Sequence, residues 1–201
     1  DRSAEAITTA RQRAAAAGRA NILFVQGELG TLPADQAGVD AVVGRYILIH
    51  QPDIVEALRR VHALLPHGGI AAFHEIEFEV RARSEPNSDL ALEVRRWIRE
   101  AFRLGGVQLR AVSQFSRWFF EAGFGWPETQ LHPLVGCGPD SFAPGYLVAT
   151  LRTLAPLLID AGAVTADELG LDTLEARLRA SCANGAPALM QINGGAWARR
   201  S

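Results

Sequence analysis

The side chains with the widest chemical range in this sequence fall where apolar runs stop. Val39-Asp40-Ala41-Val42-Val43 stops at Gly44-Arg45-Tyr46, with His50 shortly after. Ile70-Ala71-Ala72-Phe73 stops at His74-Glu75, and Asn21-Ile22-Leu23-Phe24-Val25 stops at Gln26-Gly27-Glu28. An imidazole titrates near neutral pH and can take a proton from a bound molecule; a carboxylate or a tyrosine hydroxyl can do so when its surroundings suit. Tyr46, His50, His74 and Glu75 are therefore the candidate catalytic side chains. His74 and Glu75 are adjacent in a predicted strand, so alternation turns only one of them toward any one site. No two histidines stand at helical ligand spacing, and the sequence predicts a metal-free site.

Composition removes several chemistries. All 20 basic residues are arginine, so Schiff-base chemistry, lysine nucleophiles and the lysine-bearing phosphate loop are excluded. A net charge of −2 argues against an electrostatic nucleic-acid binder. Cys137 and Cys182 form no CxxC pair, and no disulfide framework is indicated. No apolar run reaches the roughly 18 residues of a membrane span. A cytoplasmic protein acting on a small molecule, with a homodimer as one possible assembly, is the expectation. The chain opens on Asp1 and its one methionine is Met190, which suggests residues upstream.

The elements that must position these groups alternate. Ser3 caps a predicted helix over 4–17, which Gly18 stops. Strands are predicted at 21–25, 39–43 and 70–73. The loop from Gly27 is punctuated by Gly30 and Pro33, and a helix capped by Asp53 closes before Pro66-His67-Gly68-Gly69. Buried strands separated by amphipathic helices indicate a mostly parallel sheet covered by helices, with any ligand at the strands' C-terminal ends. Farther on, helices are predicted over 89–104, 112–122, 146–161 (with a kink at Pro156) and 171–183, the last preceded by the capping box Thr165-Ala166-Asp167-Glu168. An extended segment is predicted at 129–135, and 188–192 with 196–198 form one predicted closing strand with glycines at 194 and 195. Three segments follow: 1–78 as a Rossmann-like core, 79–127 as a helical substrate side, and 128–201 as two closing strands with inserted helices.

Several short stretches in this order carry a resemblance. They are Asp1-Arg2-Ser3 with its helix, Phe24-Val25-Gln26-Gly27-Glu28 with Leu32-Pro33, Val39 to His50 with Pro52-Asp53, Leu64-Leu65-Pro66-His67-Gly68-Gly69 with the strand to His74-Glu75, and Gly195-Ala196-Trp197-Ala198-Arg199. Together they resemble class I S-adenosylmethionine-dependent methyltransferases of the small-molecule, ubiquinone/menaquinone-biosynthesis type. The resemblance spans the chain and is sharpest from Asp1 to Glu75. It implies S-adenosylmethionine as cofactor, a small organic methyl acceptor, and no nucleic-acid or membrane partner. It also implies a Rossmann-like α/β fold with a C-terminal helical elaboration.

By the same resemblance, Asp1 stands where the family's carboxylate binds both ribose hydroxyls, a role suited to an acceptor of two donors. Gly27-Glu28-Leu29 matches the adenine loop, where Glu28 replaces the usual aspartate. Gly44-Arg45 matches the strand end beside the methionine moiety. The family's first strand and Gly-rich loop have no counterpart here, so the chain alone is expected to fold poorly or not bind cofactor. The helices over 89–104 and 146–183 are expected to cover the acceptor, and aromatic residues after Glu75 to line its pocket. Two rivals are a nicotinamide-dependent oxidoreductase, which the missing GxGxxG disfavours, and a non-catalytic ligand-binding or partner module of the same fold.

Overall fold

A computed structural model of the chain describes residues 1–29, 39–80 and 86–201, apart from the Met190 side chain. Gly30, Leu32 and Pro33 of the expected loop lie outside the described residues. The elements are α1 (Ala4–Ala16), β1 (Ala41–Arg45), α2 (Ile54–Leu64), β2 (Ile70–Glu77), α3 (Asp89–Leu104), α4 (Phe115–Glu121), β3 (Glu128–Cys137), α5 (Ala143–Asp160), α6 (Ala166–Leu169), α7 (Leu171–Ser181) and β4 (Pro187–Arg199). Short 3-10 turns precede α2 (Leu48–His50) and α4 (Val112–Gln114).

The Rossmann-like α/β architecture is present, and its described sheet is mixed where a mostly parallel one was expected. The order is β1-β2-β4-β3. β1 and β2 pair in parallel through the connecting α2, whereas β4 runs antiparallel to both β2 and β3. The closing strand predicted over 188–192 and 196–198, with glycines at 194 and 195, forms as β4, and the Gly194-Gly195 pair within it stays in the ladder opposite Glu75 and His74. Gly194 serves packing: a Cβ there would stand 2.4 Å from Val112 Cγ1.

The predicted strand at 21–25 is a correction. This stretch joins no ladder among the described residues. Its backbone instead meets Asp1, whose nitrogen donates to the Val25 carbonyl (3.2 Å) and whose carbonyl accepts from Gly27 N–H (3.0 Å). That exchange is the parallel-strand pattern over one residue. An apolar run states burial but names no partner, and β1, an outer strand of the described sheet, does not pair with it. Two smaller shifts matter to the site: β1 begins at Ala41, and β2 runs past Phe73 to Glu77, so His74 and Glu75 lie within the strand.

Caps fix several helix starts. Asp53 Oδ1 accepts from Glu56 N–H (2.9 Å), and Ser88 Oγ from Ala91 N–H (3.1 Å). The predicted box forms: Thr165 Oγ1 accepts from Glu168 N–H (3.2 Å), and Glu168 Oε2 from Thr165 N–H (2.7 Å). Thr165→Ala is expected to cost about 1 kcal/mol in denaturant unfolding while Thr165→Ser costs little. An unchanged midpoint in Thr165→Ala would remove the cap from the account. α5 continues past Pro156 to Asp160.

Apolar burial falls into two clusters. One sets α2, α4 and the turn at Leu48–His50 against Ala71 and Phe73 of β2 and Ala196 and Ala198 of β4. The other joins α3, α5, α6 and α7 to the start of β4. β4 thus links the sheet's core to the helical one, and the space between them is where a ligand can be enclosed.

Candidate active site

Tyr46 follows β1 directly, with φ at +53°, the one non-glycine residue with positive φ among those described. A side chain in this region costs roughly 1–3 kcal/mol, which the surroundings must over-determine. They do. Its N–H donates to the His74 carbonyl (2.9 Å), its hydroxyl donates to Asn193 Oδ1 (3.1 Å), and the Arg45 guanidinium lies 4.8 Å above its ring. Gln191 Nε2 donates to the same Asn193 oxygen (2.8 Å). Asn193 and Gln191 were not singled out in the sequence, although two amides at alternate positions of an otherwise apolar and glycine strand are a signal.

Below Tyr46 the chain turns under Glu75. This carboxylate is fully buried; its Oε1 accepts from the N–H groups of Ile47 (3.1 Å) and Leu48 (2.9 Å), which holds the turn that presents His50. Burial raises the Glu75 pKa to about 7 against the lowering effect of those backbone donors. With no exposed atom, Glu75 is placed to position the turn and not to touch an acceptor. His74 faces the other way, as alternation requires. It lies opposite Arg45 in the ladder, with its ring 5.8 Å from Tyr46 and 6.1 Å from His132. Burial lowers its pKa, and Arg45 and His132 add to the effect.

A cavity of about 620 Å³ opens beside Tyr46 and His50. Its walls come from the end of β2 (Ile76 and Glu77) with Phe78 just after it, from α3 (Ile98 and Phe102), and from α5 (Tyr146 and Leu147). The rings of Phe78 and Phe102 lie 5.0 Å apart. Of the expected catalytic set, Tyr46 and His50 line this cavity, whereas His74 and Glu75 do not. The His50 pKa is lowered by burial and then by Arg2, which leaves a neutral imidazole at pH 7.

The expected cofactor residues divide. Asp1, Gly27 and Glu28 come together through the Asp1 carbonyl and Gly27 N–H. The Asp1 carboxylate is exposed and accepts from Ser3 N–H through Oδ1 (2.8 Å). An exposed carboxylate beside a glycine turn suits the diol and base edge of a nucleoside. Leu29 packs against the sheet's core. Gly44 has a packing cause: a Cβ there would meet Phe73 ring carbons at 2.5 Å and Ile47 Cγ2 at 2.7 Å. Arg45 is exposed on the sheet face shared with His74. No cluster of three or more metal-ligating side chains occurs among the described residues.

Residues 1–105 match the family model described as a methyltransferase domain, and this match spans more than half of the chain. The chain belongs to that family. It is a class I S-adenosylmethionine-dependent methyltransferase, and its family implies use of that cofactor. No curated protein matches this methyltransferase chain. Among solved structures it is similar to a protein of Bacillus halodurans C-125 assigned as a methyltransferase (TM-score 0.61, 14% identity, covering 98% of this chain and 80% of that one). It is also similar to the YcgJ protein of Bacillus subtilis (TM-score 0.59, 16% identity, 100% and 81%). A third is a Haemonchus contortus phosphoethanolamine N-methyltransferase in complex with phosphomonomethylethanolamine and S-adenosylhomocysteine (TM-score 0.50, 12% identity, 94% and 39%). At these identities the likeness is one of fold. No described helix of the methyltransferase is long and apolar enough to cross a membrane.

Proposed function

We propose that this methyltransferase moves the methyl group of S-adenosylmethionine onto a small, largely apolar organic acceptor held in the cavity between β2, α3 and α5. The observation that carries this reading is the cavity itself, which places the apolar side chains of Phe78, Ile98, Phe102 and Leu147 beside Tyr46 and His50. When bound, the cofactor supplies a methyl on a sulfonium, a good leaving group, so the protein's task is chiefly alignment. In this reading Asp1 takes the ribose hydroxyls, Gly27 and Glu28 flank the adenine, and Arg45 at the end of β1 lies beside the methionine moiety.

Tyr46 and His50 act at the acceptor. The Tyr46 hydroxyl, held by Asn193, orients a polar atom of the acceptor, while the neutral His50 imidazole accepts the proton that atom releases. Because His50 is neutral down to below its ordinary pKa of 6.5, methyl transfer is expected to stay level above that pH and to fall as the pH drops further. His50→Gln is expected to lower kcat about 100-fold and to erase this acid limb. A variant with unchanged kcat and the same acid limb would remove His50 as the base.

A further inference from the structure

One charge in the cavity wall stands apart from the others. Arg95 projects from α3 into the cavity and is half-buried. Neighbouring charges on the same wall are neutralised or occupied. Arg96 pairs with Glu93 at 3.2 Å, and Arg99 donates through Nε to Glu79 Oε1 at 3.1 Å. The Glu77 carboxylate accepts from the N–H groups of Glu79 (3.0 Å) and Ser113 (3.1 Å). Arg95 has neither a hydrogen bond nor an ion pair among the described residues. Burial pushes its pKa down.

A guanidinium partly removed from water without a partner is destabilising, and buried arginines are ordinarily paired. Retaining one beside Ile98 and Phe102 makes sense where a ligand completes it. We propose that Arg95 anchors an anionic group of the acceptor, so that the acceptor is an apolar organic carboxylate. Among the described residues of the wall Arg95 is the one unpaired guanidinium, which matches a monoanionic carboxylate in charge and in its two-pronged geometry, while Arg96 and Arg99, already paired, offer no further charge for a phosphate dianion. The apolar remainder lies along Ile98, Phe102 and Leu147. Arg95 is then a specificity-determining residue, and its role rests on the cavity being the acceptor site proposed above.

Isothermal titration of the full-length gene product with two matched pairs tests this: 1-naphthaleneacetate against 1-naphthaleneacetamide, and decanoate against decanamide. In at least one pair the acid is expected to bind tenfold or more tightly than the amide, as a charge-assisted contact provides. Arg95→Gln is expected to abolish that preference and Arg95→Lys to keep part of it. Ligand-free Arg95→Met is expected to melt higher than the parent, because an unpaired charge has left the wall. The proposal is overturned if no acid outbinds its amide, if the preference survives in Arg95→Gln, or if Arg95→Met melts lower, which would make Arg95 structural. S-adenosylhomocysteine titrated into the same samples separates the two readings. Cofactor binding without an acid preference overturns the anchor alone, and an acid preference without cofactor binding overturns methyl transfer alone.

Discussion

At pH 8 a Glu75→Gln variant is expected to be about 2–3 kcal/mol more stable than the parent chain, with the two nearly equal at pH 5. The folded-state pKa of about 7 lies above the ordinary 4.5. A raised carboxylate pKa means that folding favours the protonated form, so its stabilising contribution is complete below pH 4.5 and is lost as the pH rises through 7. Across pH 5 to 8 the loss integrates to about 2.5 kcal/mol at about 1.4 kcal/mol per pH unit. The glutamine keeps an oxygen for the Ile47 and Leu48 N–H groups and carries no charge to bury. His50, His62 and His74, whose pKa values are lowered, act with the opposite sign: their contribution is present above 6.5 and is lost as the pH falls. Comparing the two proteins in urea at each pH cancels those contributions. A stability difference that does not change with pH would show that Glu75 is already ionised in the fold. Glu75→Ala, which strips both N–H groups of their acceptor, should loosen the turn carrying His50 and lower activity at every pH.

Gly44→Ala is expected to destabilise the fold by about 2–4 kcal/mol, a large effect for a single methyl group. The added carbon would overlap Phe73, whose ring is 2% exposed and packed edge-on against Phe119, and Ile47, which is tied to Glu75. The buried Phe73 ring has packed neighbours on its far side and cannot move aside cheaply. The measurement is a urea midpoint without cofactor. A large loss in the free protein identifies Gly44 as a packing residue of the β1–β2 pair. A variant as stable as the parent that has lost only cofactor affinity would return Gly44 to the cofactor role its sequence position suggested.

The parts of the fold that local chemistry determines were legible in the sequence. The helix at Asp89–Leu104 and the box at Thr165 follow from periodicity and caps, and both form as read. The split of His74 from Glu75 follows from strand alternation. What local pattern does not encode is pairing. The run at 21–25 looks like a strand but has no ladder, and the antiparallel placement of β4 between β2 and β3 depends on contacts far apart in sequence. Glu75 was read as a candidate base because a glutamate near a strand end invites that reading. Only the fold shows β2 continuing to Glu77 and the turn folding beneath it. Arg95 was invisible for a related reason: one arginine among several on an amphipathic helix is distinguished by what it lacks, and partners are a three-dimensional property.

The central claim is that the Asp1–Gly27–Glu28 cluster and the Tyr46–His50 turn serve S-adenosylmethionine-dependent methyl transfer. Isothermal titration of the full-length gene product with S-adenosylmethionine and, separately, with NAD tests this most directly. Saturable one-to-one binding of S-adenosylmethionine is expected, weakened at least tenfold by substitution of Asp1 with alanine, with no heat from NAD. Absence of S-adenosylmethionine binding by a cooperatively folded protein, or tighter binding of NAD, would contradict it.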